Sequence, residues 1–349
     1  MSLPEIDRTY LIDQIKNLLN IPSPTGFTHN AINLTLDTIK MFPELQPSTN
    51  KKGALIIEWA GDNIKEKRAL TAHIDTLGAM VKQVKTNGRL QLSRIGSFSW
   101  NTVEGEGCTV YTNNGEAIRG SLLPIKASKH VYGEELIKLT RDDENMEVRL
   151  DVRTNSDHDT RKLGVEVGDF VAFDPRLEIN NQFVRSRYLD DKACIACIFT
   201  AVKALHDEKL KPAYNTILHI SNYEEVGHGA STGIPSDVTE LVALDMAAVG
   251  EGQNSDEFHA TLCVKDSGGP YHYQLNQRLR NIAEKHHIDY KVDIYPFYGS
   301  DGEAYWRAGG DVAVSLIGPG VDASHNYERT HIDALIATTQ WIIAYLLEE

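Results

Sequence analysis

Apolar positions recur at helical spacing over residues 6–20 (Leu11, Ile12, Ile15, Leu18 and Leu19), which predicts an amphipathic helix. The prolines and glycine of Ile21-Pro22-Ser23-Pro24-Thr25-Gly26 end it, and a second helix is expected over 28–41. The period then shortens. Leu55-Ile56-Ile57-Glu58-Trp59 and Arg68-Ala69-Leu70-Thr71-Ala72 read as strands, the second running into His73-Ile74-Asp75. Thr216-Ile217-Leu218-His219-Ile220-Ser221 and Glu240-Leu241-Val242-Ala243-Leu244-Asp245 are short apolar runs of the kind that form buried parallel strands. A helix opens near Leu189 and runs to about 209. Another is expected over 274–287, a strand over 288–294, a last strand over 311–317 and a closing helix over 333–347.

Between about 77 and 186 helical periodicity fades. Short β-type runs at 79–84, 89–92, 108–111, 146–152, 170–173 and 183–185 are separated by turn signals such as Thr86-Asn87-Gly88 and Asn113-Asn114-Gly115. The pattern predicts an α/β domain formed by 1–76 and 187–349, its mostly parallel sheet flanked by helices, with a small all-β domain inserted at 77–186.

The net charge of −14 argues against nucleic acid or an anionic membrane as the main partner. No apolar stretch is long enough to span a bilayer, and residues 1–7 show no basic and apolar leader, so a cytoplasmic protein is expected. Four cysteines in 349 residues do not make a disulfide framework. Cys194-Ile195-Ala196-Cys197 has redox-motif spacing, but it lies on the apolar stripe of a helix and reads as core.

Chemistry collects where the strands end. One strand delivers His73 and Asp75, another the pair Glu224 and Glu225, a third Asp245, and the last leads to His325; Asp190 stands at a helix entry. The carboxyl edge of a parallel sheet is where such folds bind ligands. Adjacent carboxylates alone would suit a solvated turn, and Asp190-Asp191 alone would suit a helix dipole. Imidazoles and several acids at one edge instead suit a pair of divalent cations, Zn²⁺ first, with Co²⁺ or Mn²⁺ as alternatives. No HExxH, GxSxG elbow or Walker loop occurs.

Seven stretches, in this order, resemble the M42 family of metallo-aminopeptidases: Ile21-Pro22-Ser23-Pro24-Thr25-Gly26, Ala72-His73-Ile74-Asp75, Leu189-Asp190-Asp191-Lys192, Glu224-Glu225-Val226-Gly227, Ala243-Leu244-Asp245, Tyr298-Gly299-Ser300-Asp301-Gly302 and Ser324-His325-Asn326-Tyr327-Glu328. The resemblance implies that Asp190 bridges two metals, with His73 and Asp245 completing one ligand set and Glu225 and His325 the other. It makes Glu224 the general base acting on a metal-bridging water, gives Asp75 the task of holding the His73 ring through its free nitrogen, and implies a cis Asp190–Asp191 peptide. Lys192 stands where the family often has Arg, and Asn326 where it often has Ser. His331 competes with His325, which is preferred because it precedes the last helix while His331 falls at that helix's start.

The activity implied is removal of N-terminal residues from short peptides, by a homo-oligomer of up to a dodecamer assembled through the β insert. The alternatives are a carboxypeptidase or N-acyl-amino-acid deacylase on the same scaffold, a glycosidase using paired acids, and a non-enzymatic assembly protein. The first would need a basic residue to grip a carboxylate, and none stands among the motif stretches.

Overall fold

A computed structural model describes residues 3–349. At its centre the strands Tyr214–Ser221, Asn63–His73, Glu240–Leu244 and Ala313–Asp322 lie side by side and parallel. The register is what builds the site. Ser221 pairs with His73 and Ala243 with Thr71, so the three strands that carry acids or histidine end level with one another. The sheet is mixed. Leu55–Trp59 adds to one side antiparallel and Leu45–Thr49 forms that edge, while Ala260–Asp266 and Glu328–His331 pair antiparallel with the last central strand.

The helix Leu189–Asp207 packs on the His73 strand between the helices Arg8–Leu19 and Ile332–Leu347. Covered on all sides, it buries far more than one stripe: Ala193 through Phe199 are each at most 1% exposed. Cys194 and Cys197 are part of that packing, and all four cysteines are buried free thiols. A second apolar layer, including Leu241, Val314, Leu316, Tyr271 and Tyr295, lies under the short helix Asp301–Arg307. No helix among the described residues is long and apolar enough to cross a membrane.

The chain divides into two units, one formed by residues up to Asp75 with Arg176–Glu349, the other by Thr76–Pro175. The second unit is a closed six-stranded barrel with short helices in its connections. Its downstream boundary falls at 175, ahead of the expected 186. Glu178–Asn180 and Phe183–Ser186 are strands of the large sheet, paired through Glu328–His331. Their short β-type runs carry no mark of which sheet they join.

Within the parallel strand Tyr214–Ser221, His219 is fully buried, with its Nδ1 2.9 Å from Thr71 Oγ1. Burial is the main reason its imidazole is pushed down to about 4, with the Lys52 charge adding to it. The fold therefore favours neutral His219, and the stability this contributes is complete above the ordinary pKa of 6.5 and is lost as the pH falls toward 4. Between pH 7 and 5 the unfolding free energy should drop by on the order of 2 kcal/mol more in the wild type than in His219→Gln. Parallel loss in the two proteins in chemical denaturation would remove His219 from the acid response.

Candidate metal centre

Each site residue leaves the end of a regular element. His73 is the last residue of its strand, and Asp245 directly follows Glu240–Leu244. After Ser221 the chain turns through Asn222 and Tyr223 into the 3-10 turn Glu224–Val226. Asp190 opens the long helix, and the Asp190–Asp191 peptide is cis. His325 lies between the strands Ala313–Asp322 and Glu328–His331. Tyr188, Tyr223 and His325 all have positive φ, a conformation that L residues adopt at a cost and that here re-aims the chain beside each functional group.

The side chains converge. His73 Nε2 is 3.0 Å from Asp190 Oδ1, 3.7 Å from Glu224 and 4.0 Å from Asp245. His325 Nε2 is 3.4 Å from Asp190 Oδ2 and 3.6 Å from Glu225 Oε2. Two groups of donors result, His73–Asp190–Asp245 and Asp190–Glu225–His325, each with its ligand atoms within 4.8 Å of one another. Asp190 belongs to both, one oxygen toward each histidine. Glu224 belongs to neither.

The electrostatics suit added cations. Burial first, and then the neighbouring acids, push Glu224 and Asp245 well above the carboxylate range; burial and Asp190 push Glu225 up to about 8. Asp190 goes the other way. Burial would raise it, but hydrogen bonds from His325 and His73 hold it well below the usual range. His73 is raised in turn, because Asp190 and the surrounding acids outweigh its burial. A buried set of imidazoles and mutually repelling carboxylates fits divalent metal ions of the Zn²⁺, Co²⁺ or Mn²⁺ kind.

Asp75 meets the free nitrogen of the His73 ring through its backbone. His73 Nδ1 donates to the backbone oxygen of Asp75 at 2.9 Å, whereas the Asp75 carboxylate is 3.8 Å from that nitrogen. The carboxylate instead accepts from the backbone N–H groups of Glu224 and Glu225 at 3.2 and 3.3 Å, and from Thr25 Oγ1 at 2.7 Å. It holds the Glu224–Glu225 turn. A strand alternation that points His73 and Asp75 the same way gives no hint of this, because the turn comes from a distant part of the chain.

Other supporting residues stand inside the motif stretches without an assigned role. Glu328, 1% exposed, accepts from the N–H groups of Asp190 and His325 at 3.2 and 3.1 Å and so ties two elements that bear ligands. Asp191 accepts from the His73 N–H at 3.2 Å. Asp301 accepts from Ala230 N at 2.7 Å and from Ser221 Oγ, bracing the end of the Glu224 strand. Lys192 is fully buried beside Asp191, and its ammonium donates to the carbonyls of Leu18 and Ile21 at 3.0 and 2.6 Å. Burial alone pushes it down to about 7.

Residues 53–341 match the pattern of the M42 glutamyl aminopeptidase family. The chain belongs to that family. A putative aminopeptidase of Bacillus subtilis, YhfE, is 46% identical over 336 residues that cover 96% of each chain. In fold, the chain is similar to an aminopeptidase of the archaeon Desulfurococcus kamchatkensis, with a TM-score of 0.87, 20% identity and coverage of 98% and 96% of the two chains. It is also similar to the TET1 peptidase of Pyrococcus horikoshii, whose structure is described as a tetrahedron or a large octahedral shell. There the TM-score is 0.85 at 21% identity, covering 97% of this chain and all of the other.

His331 lies outside both donor groups. Its ring packs between Phe183 and Phe258, with centroids 4.9 and 5.2 Å away, and its Nδ1 caps the last helix by accepting from Asp333 N at 3.2 Å. His331→Ala should therefore cost about 1–2 kcal/mol of stability and leave metal content unchanged. His325→Ala should deplete metal. Elemental analysis beside a melting curve separates the two, and the reverse pattern would exchange the roles of the histidines.

Proposed function

We propose that this M42 member is a di-metal aminopeptidase that hydrolyses N-terminal residues from short peptides. The observation that carries this reading is the residue left over. Two donor groups sharing Asp190 use five side chains, and Glu224 remains outside them while lining the same cleft of about 370 Å³. His73, Asp190 and Asp245 would hold one ion, and Asp190, Glu225 and His325 the other. Bound there, such ions supply Lewis acidity toward a peptide carbonyl and make water more acidic.

The chain's own groups do the rest. Glu224, on a backbone fixed by Asp75, takes the proton of the attacking water and passes it to the departing amine. The substrate's free amino group, cationic at neutral pH, is received by the acids of the cleft, with Asp245 and Glu225 on its wall. A peptide must therefore present an unblocked N-terminus. A screen of aminoacyl amides with Zn²⁺, Co²⁺ or Mn²⁺, beside N-acylated controls, tests this. Cleavage of the blocked compounds and not the free amines would replace the reading with a deacylase.

The barrel unit provides no donor to either group among the described residues, and we assign it to self-association. Val131 and Ile137 are 72% and 60% exposed on its short helices, an apolar surface that suits burial between copies. Joint replacement of both by Asp should lower the assembly mass seen by light scattering and leave metal binding intact. An unchanged mass would place the contact elsewhere.

A further inference from the structure

The wall of the cleft away from the donor groups contains an ion pair for which the reading above has no use. Glu303 and Arg307 both line the cleft, one turn apart on the helix Asp301–Arg307. Glu303 is only 5% exposed, and its Oε2 accepts from Arg307 Nη2 at 2.7 Å. The Arg307 side chain is 65% exposed. One partner is enclosed and the other is exposed.

What fixes Glu303 lies behind it. A Cβ at Gly268 would come within 1.5 Å of Glu303 Oε1, so the carboxyl fills the space over that glycine. Gly268 N donates to Asp266, which is fully buried and also accepts from the Tyr271 hydroxyl. Tyr271 Oη is in turn 2.7 Å from Ser300 Oγ. Glu303 thus stands in the wall with a second carboxyl behind it and an exposed guanidinium in front. Burial, and then Asp266, push it up to about 7. At the rim, Phe297 is 98% exposed and Tyr298 is half-buried, giving aromatic surface of the kind a long aliphatic stem lies against.

We propose that Glu303 is the specificity-determining acceptor for a lysine or arginine side chain at the N-terminus of the substrate. This rests on the aminopeptidase reading. With the substrate's amino group among the acids near the donor groups, its first side chain is directed at the remaining wall. There a cation takes the place of Arg307 at Glu303, and the displaced guanidinium, already 65% exposed, returns to water. An acidic side chain would face two carboxyls for a single exposed arginine and is disfavoured.

The test is kcat/KM for the p-nitroanilides of Lys, Arg, Leu and Glu, measured on the metal-loaded wild type, Glu303→Gln, Glu303→Asp and Arg307→Ala. The wild type should prefer Lys and Arg. Glu303→Gln should lower the Lys and Arg values at least about tenfold more than the Leu value, mainly through KM, as loss of a hydrogen bond to a charged group does. Glu303→Asp should show the same selectivity in weaker form, and Arg307→Ala should raise the ratio of Lys to Leu. An equal loss on all four substrates in both Glu303 variants, or a preference for the Glu substrate that Arg307→Ala abolishes, would overturn the assignment. Leu cleavage without a preference for basic residues sinks this inference alone, whereas failure to cleave any free-amine substrate sinks the reading beneath it.

Discussion

Glu224→Gln is expected to lose about 10²–10⁴-fold in turnover while both donor groups keep their metal. Gln preserves volume and one acceptor oxygen but cannot take up a proton at neutral pH. The backbone contact from Glu224 N to Asp75 does not involve the side chain, so the turn should hold its shape. Its neighbour behaves differently: Glu225 lies 3.6 Å from His325 in a donor group, so Glu225→Gln should deplete metal. The two variants give a loaded but inactive protein and an underloaded one, distinguished by elemental analysis beside kcat. A Glu224→Gln protein that loses metal and regains activity in excess Zn²⁺ or Co²⁺ would make Glu224 a ligand.

Asp190→Asn should empty both groups together. One carboxylate serves both, with Oδ1 toward His73 and Oδ2 toward His325, and a neutral amide offers one oxygen and no charge. The fall in affinity should exceed the ~10–100-fold that removal of a supporting residue gives. Asp245→Asn, by contrast, touches only the His73 group and should lower metal content toward one ion per chain. The comparison is made by metal stoichiometry at matched free-metal concentration. Two ions retained by Asp190→Asn, at unchanged affinity, would dispose of the shared-ligand arrangement.

Much of this was legible in the sequence because strand ends are legible. His73, Glu224, Glu225 and Asp245 each follow an apolar run, and parallel pairing in register brings such ends to one edge. Asp190 and His325, at a helix entry and in a loop, joined that set by position, and the family resemblance supplied their roles. What stayed hidden depends on partners far apart in the chain. Glu328 is one acid among 49 acidic residues until the fold sets it between Asp190 and His325. Asp75 holds the His73 ring through its backbone oxygen, while its carboxylate serves the two N–H groups of the turn at Glu224, which would otherwise lack an acceptor. The strand Glu328–His331 went unread for a local reason: Glu-Arg-Thr-His has no apolar alternation.

The contact of Lys192 bears on how this chain can be shortened. The region matched to the family begins at residue 53, which makes the stretch before it look like a dispensable leader. Yet the carbonyls of Leu18 and Ile21 are acceptors for an ammonium buried two residues past Asp190. An expression fragment trimmed to the family limits would remove both acceptors and strip the helix Arg8–Leu19 from the helix that presents the shared carboxylate. Trimming would then register as a metal-poor or insoluble protein, a fault easily blamed on the purification.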